Sequence, residues 1–168
     1  MSKIPTEADE SRFWSLIESA WERTGDEPSA RRKALIDREN DNDAYVLHEY
    51  LDPFLENLRA LSESLSSAEL TNLDRVLERK LYDIDREEIQ EITDGSDDGF
   101  LYCRGFIVAM GQEFYEAVDA DPTVAVLDAD CESMCYFFAQ LHNDLFGGYP
   151  ETDSGISRES TSNQAGWD

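Results

Sequence analysis

DGSDDGFLYCRGFIVAMGQEFY, residues 94–115, is the stretch whose reading decides the fold class. It opens on an acidic turn flanked by Gly95 and Gly99 and continues as an apolar run. Asp97 or Asp98 is expected to cap a helix, because a short carboxylate accepts from the free N–H groups of a first turn. Negative charge there also suits the positive end of the helix. Phe100, Cys103, Ile107, Met110 and Phe114 then recur at spacings of three and four, which places them on one helical face. Phe106, Val108 and Tyr115 widen that stripe, so a helix covered on more than one side is expected here, ending near Asp119. Gly105 and Gly111 fall inside it, where each costs roughly 1 kcal/mol against alanine. Two things could offset that cost: close approach of a neighbouring helix, or close approach of a ligand.

Working outward, apolar residues at helical spacing dominate and no strand alternation persists. A first helix is expected over about Asp9 to Arg23, with Phe13, Leu16, Ile17, Ala20 and Trp21 on its inner face and Gly25 as its stop. Pro28 suits the first turn of a second helix carrying Ala34, Leu35 and Ile36. Residues 37–43, DRENDND, read as a loop. A longer helix is expected from Ala44 to Ser64, kinked or split at Pro53. Ser66 and Glu69 form a capping box, which starts another helix running through Leu81 and Ile84 towards Ile92. Asp121-Pro122 breaks the pattern. A last helix is expected from Asp130 to Phe146, stopped by Gly147-Gly148, with Cys131, Met134, Cys135, Phe138, Leu141 and Leu145 on one face. The expectation is an all-α fold: a frayed segment 1–8, one irregular domain of five to seven helices over 9–149, and a disordered, flexible tail over 150–168.

Several unusual residues coincide in register: Ser96-Asp97-Asp98-Gly99-Phe100, Arg104-Gly105-Phe106, Gly111-Gln112-Glu113-Phe114-Tyr115-Glu116-Ala117 and Asp121-Pro122. With Phe13-Trp14-x-Leu16-Ile17 and Leu65-Ser66-Ser67-Ala68-Glu69-Leu70, they resemble a family of bacterial domains, domain of unknown function 4240, over about residues 10–145. The resemblance implies a mostly helical fold and carries over no catalytic residue. Where relatives often have a Trp-rich segment, this chain has Tyr82-Asp83-Ile84-Asp85-Arg86.

Composition narrows the function classes. The chain has 168 residues, enough for one real core. No apolar run is long enough to span a bilayer, and the first residues lack the apolar core of a secretory signal. Three cysteines with no C-x-x-C pair suit a reduced, cytoplasmic setting. The formal net charge is −24, which disfavours nucleic acid and anionic membrane surfaces. It favours a basic protein partner, with salt-sensitive association. From Gly105 to Ser157 there are ten carboxylates and no Lys or Arg. Salt adaptation would give the same acidity as a solubility trait that says nothing of partners.

The chemistry-bearing constellations are thin. Asp94, Ser96, Asp98 and Gly99 imitate the start of a calcium loop, but the twelfth position is Gly105 where a bidentate Glu is required. Cys135 and His142 lie two helical turns apart, and Cys131, Cys135 and His142 lack a fourth zinc ligand. No catalytic residue, metal or cofactor is expected. Arg104 stands out as a lone cation among acids. It is expected either to pair with Asp97, Glu113 or a carboxylate of the first helix, or to anchor an anionic group beside Gly105. Asp97, Asp98, Arg104 and Glu113 are the candidate ligand or partner-binding residues. The leading reading is a small acidic interaction protein, immunity-like or antitoxin-like, with DNA mimicry as a special case. The alternatives are a ligand-binding or enzymatic domain with a polar pocket at that cluster, and an adaptor of unknown partner whose acidity is only salt adaptation.

Overall fold

The structure, a computed structural model, describes residues 2–37, 43–94 and 96–167, with only the backbone of Asp43 and Asp97. Among these residues the secondary structure is entirely helical: α1 (Glu7–Thr24), α2 (Asp26–Asp37), α3 (Asp43–His48), α4 (Leu51–Ser62), α5 (Ser67–Asp83), α6 (Glu87–Thr93), α7 (Asp97–Ala109), α8 (Gln112–Ala120), α9 (Glu132–Cys135) and α10 (Phe137–Phe146). Two short 3-10 turns, Pro122–Val124 and Gln164–Gly166, complete it.

The all-α class stands, but ten helices replace the expected five to seven. The reason is local: four expected helices are each broken in two. The 44–64 segment turns at Glu49 and Tyr50, so Pro53 falls in the first turn of α4, where its missing N–H costs nothing. The segment after Ser66 stops at Ile84, whose φ of −103° and ψ of 12° leave the helical range. The central run breaks at Gly111, with φ of 102°, a conformation that favours glycine. Gly111 is therefore a junction, not a glycine inside a helix. The last run breaks at Tyr136. Residues 38–42 of the expected 37–43 loop lie outside the described residues, and its ends belong to α2 and α3.

The expected stops and starts formed where a cap was legible. Gly25 closes α1 with its N–H on the Trp21 carbonyl. Ser66 and Glu69 make both bonds of the capping box. Gly147 closes α10 in the left-handed conformation. The cap of α7, however, is Ser96, whose hydroxyl accepts from the Gly99 N–H, and not Asp97 or Asp98.

Helices α1, α5 and α7 carry the centre of the core. Phe13, Ile17, Ala20 and Trp21 of α1 are fully buried. Trp21 stacks on Phe54 of α4 at 4.3 Å and donates its Nε1 proton to the Ala109 carbonyl at 2.7 Å. That bond answers the one polar atom such a ring takes into a core. Truncating a buried Trp of this kind costs about 3–5 kcal/mol. Gly105 explains how closely α7 and α9 approach: a Cβ there would stand 2.5 Å from the Cys131 carbonyl oxygen and 2.6 Å from Cys135 Sγ. A neighbouring helix, rather than a ligand, fills the space that Gly105 leaves.

A disordered tail is not established for residues 150–167. They run along α5 and α7, with Ser154 and Arg158 buried and Trp167 packed against Phe100. Composition argued for disorder because few residues there are apolar. What holds the segment is polar.

Candidate functional site

The three candidate residues whose side chains are described, Asp98, Arg104 and Glu113, do not converge. Asp98 is exposed on the first turn of α7. The side chain of Asp97 lies outside the described residues. Glu113, exposed on the first turn of α8, lines a cavity of about 250 Å³ with Glu18, Arg32, Lys33 and Gln112. Arg32 is held there by two bonds to Glu18, at 2.9 and 3.0 Å, and one to the Met110 carbonyl.

Arg104 points elsewhere and is fully buried. It forms no ion pair among the described residues. It donates to the carbonyls of Leu81 at 2.8 Å and Arg158 at 2.9 Å, and to the Ser160 hydroxyl at 3.2 Å. Its guanidinium lies 4.8 Å from the centre of the Phe100 ring. Its Nε finds no acceptor among the described residues. Burial lowers its affinity for the proton, opposed chiefly by the negative charge of Asp85. Among the described residues its hydrogen-bond acceptors are neutral, and none is Glu113 or a carboxylate of α1.

Arg104 belongs to a buried polar seam that ties the last residues to α5. Arg158 lies 2.7 Å from Asp74 and 3.5 Å from Glu78, and donates to the Cys135 carbonyl at 2.6 Å. The side chains of Arg158 and Asp74 are 5% and 3% exposed, so each is the other's substitute for water. Burial raises the Asp74 carboxyl above its ordinary range, and Arg158 opposes the rise. Asp85, also fully buried, accepts from the N–H groups of Thr161 and Asn163 and from Trp167 Nε1. Glu78 accepts from the hydroxyls of Thr152 and Ser154.

The remaining chemistry is muted. Cys135 donates to the Leu101 carbonyl, whereas His142 bonds Ser67 and the Gly148 carbonyl, so the pair is not assembled as nucleophile and base. Burial pushes the Cys103 thiol up to about 11 and the Cys131 and Cys135 thiols up to about 12. A thiol held protonated is a poor nucleophile and a poor metal ligand. No group of three or more potential metal ligands is assembled among the described residues.

Among the described residues the surface carries an apolar groove. It holds about 470 Å³ between α4 and the α9–α10 pair, lined by Leu55, Tyr136, Phe137 and Leu141 and edged by Glu56 and Glu132. Arg59 also borders it, but Asp144 holds its guanidinium at 3.0 Å. That bond, with one from Gln140, keeps the Asp144 carboxyl below its ordinary range. Leu145 and Phe146, 40% and 50% exposed, extend the apolar surface along α10. The Tyr136 ring is braced from behind by the Arg158 guanidinium at 5.0 Å. Nothing in the 94–115 stretch pointed to this groove. The available signal was Tyr136-Phe137-Phe138, more aromatic surface than one buried face of a short helix absorbs.

No curated protein matches the chain, and no solved structure does. A family model described as "Protein of unknown function (DUF4240)" matches residues 34–143, more than half of the chain. Those residues run from within α2 to within α10 and contain the whole of α7 and α8 and every wall of the groove. Phe13-Trp14 and the buried Arg158 stand outside that range. The chain belongs to the DUF4240 family.

Proposed function

We propose that the protein is a non-catalytic interaction module that binds a basic protein partner through the groove between α4 and the α9–α10 pair. The observation that carries this reading is an exposed apolar surface set in a stretch that has ten carboxylates and no cation between Gly105 and Ser157. Exposed contiguous apolar surface on a small domain marks an interaction site more often than not. Glu56 and Glu132 on its edges supply charge complementarity to Lys or Arg, which speeds encounter and rejects acidic competitors. Catalysis has less support, because the thiols are protonated and His142 is occupied on both ring nitrogens. Affinity capture on the immobilised chain tests the proposal, with a Glu56→Lys/Glu132→Lys variant run beside it. Basic proteins retained at low salt, released by high salt and missed by the variant are expected. Equal retention of acidic and basic proteins overturns it.

A second reading, a ligand-binding pocket, keeps one supporting observation. Glu113 and Gln112 share the cavity of about 250 Å³ with Arg32 and Lys33. A carboxylate-bearing small molecule is the ligand that this pair of cations would take, although Glu18 already neutralises Arg32. Protection of Lys33 from acylation by such a ligand is its test.

A further inference from the structure

The geometry points to an amphipathic, basic α-helix of the partner as the occupant of the groove between α4 and the α9–α10 pair; this rests on the reading of that groove as the partner-binding surface. An extended segment docks by pairing its backbone with a free strand edge. The groove has none, because its walls are helices whose interior N–H and C=O groups are already bonded along α4 and α10. Strand addition is therefore closed to an occupant, whereas a helix brings its backbone already bonded and leaves its side chains to meet the apolar floor with Glu56 and Glu132.

Its length and pattern follow from the walls. α4 lines the groove with Leu55, Glu56 and Arg59, and α9–α10 line it from Glu132 to Leu141, a span that rises roughly 14 Å at about 1.5 Å per residue. About three turns of a second helix match it, presenting apolar side chains at spacings of three and four to Leu55, Tyr136 and Phe137. Arg or Lys residues flanking that stripe meet Glu56 on one edge and Glu132 on the other. Arg59 does not oppose them, because Asp144 already holds it. The Tyr136 ring is fixed by Arg158 on its inner side, so it enters the encounter already oriented.

The test uses the full chain and a labelled synthetic peptide of about sixteen residues with a Leu/Phe stripe and Lys/Arg flanks, too short to be a stable helix alone. A scrambled peptide of the same composition serves as control. Expected results are a gain of helical circular dichroism on mixing and affinity at least about tenfold above the scrambled peptide. A loss of about tenfold or more is expected with Glu56→Lys/Glu132→Lys and with Leu55→Glu, since charge reversal on a complementary edge and a buried carboxylate both oppose binding. The charge-reversed pair sits on exposed positions, so it reports even if Leu55→Glu impairs folding. Equal binding of both peptides, or groove variants with unchanged affinity, overturns the helical occupant while leaving a basic partner standing. No binding of either peptide at low salt overturns the basic-partner reading as well. Sedimentation that shows a dimer dissolved by Leu55→Glu makes a second copy the occupant and overturns the inference in that way.

Discussion

Arg158→Ala removes one side chain and strips two carboxylates of their partner. In the native chain Arg158 faces Asp74 at 2.7 Å and Glu78 at 3.5 Å and bonds the Cys135 carbonyl, with almost no exposure to water. Breaking a buried pair from one side leaves the other charge uncompensated, at about 3–5 kcal/mol. For a chain of this size that lowers Tm by on the order of 10 °C. The midpoint of urea unfolding at neutral pH measures it. The mechanism makes a second demand. Asp74 can escape its penalty by taking up a proton, so the deficit of Arg158→Ala shrinks as the pH is lowered towards 5. Replacing the pair together, Arg158→Met with Asp74→Leu, recovers most of the loss, because an apolar substitute leaves no orphaned charge. A loss below about 1 kcal/mol in Arg158→Ala refutes the reasoning, since an exposed pair is worth no more than that. So does a deficit independent of pH.

Other consequences are equally open to measurement. Asp74 and Asp83 are expected to add stability on acidification: their folded carboxyls sit above their ordinary value, so their contribution is full below about 3.8 and is lost as pH rises through the folded values. The opposite sign holds for Glu69 and Asp144, whose lowered carboxyls favour folding above their unfolded range and lose that as pH falls through the folded values. A maximum in Tm between these windows is expected, and a monotonic decline on acidification from pH 7 contradicts it. Gly105→Ala is expected to destabilise by about 1–3 kcal/mol despite alanine's helix preference, because the new methyl meets the Cys131 carbonyl oxygen, whereas Gly148→Ala, with open space around it, is near neutral. Equal midpoints for the two variants refute the close contact of α7 and α9. The three cysteines are buried, so no thiol is expected to react with a disulfide reagent at pH 7.5 until denaturant is added, and then all three; fast labelling of the native chain contradicts their burial.

The helical class was legible because apolar stripes and caps are local. Ser66 with Glu69, Gly25 and Gly147 could each be read within a few residues. The breaks were not, since a stripe of apolar residues continues across a turn when the chain re-enters the same core. Tyr136 and Ile84 interrupt helices without carrying a breaker's side chain. Gly111 was visible as a glycine but not as a junction, because its meaning lies in a φ of 102°. Arg104 was singled out in the sequence, and its described acceptors are not the expected carboxylates. A lone cation among acids suggests a nearby carboxylate, but its acceptors come from Leu81, Arg158 and Ser160, 23 to 56 residues away. The final segment misled for a related reason. Composition counts apolar residues, whereas this segment is held by one guanidinium, one indole and two backbone N–H groups meeting Asp74 and Asp85. The groove was hidden because its walls, α4 and α10, are distant in sequence.

The polar seam also imposes an order on biosynthesis. Asp74 and Asp85 leave the ribosome long before Arg158, Thr161, Asn163 and Trp167 are made. Until those residues emerge, α5 and the turn after it carry two carboxylates that cannot be buried without a large penalty, and α7 carries Arg104 without two of its acceptors. The nascent chain can form helices and collapse part of its core, but its seam cannot close. A message that stops shortly before codon 158 therefore encodes nearly every apolar residue of the core and still yields a protein that quality control should recognise as unfinished.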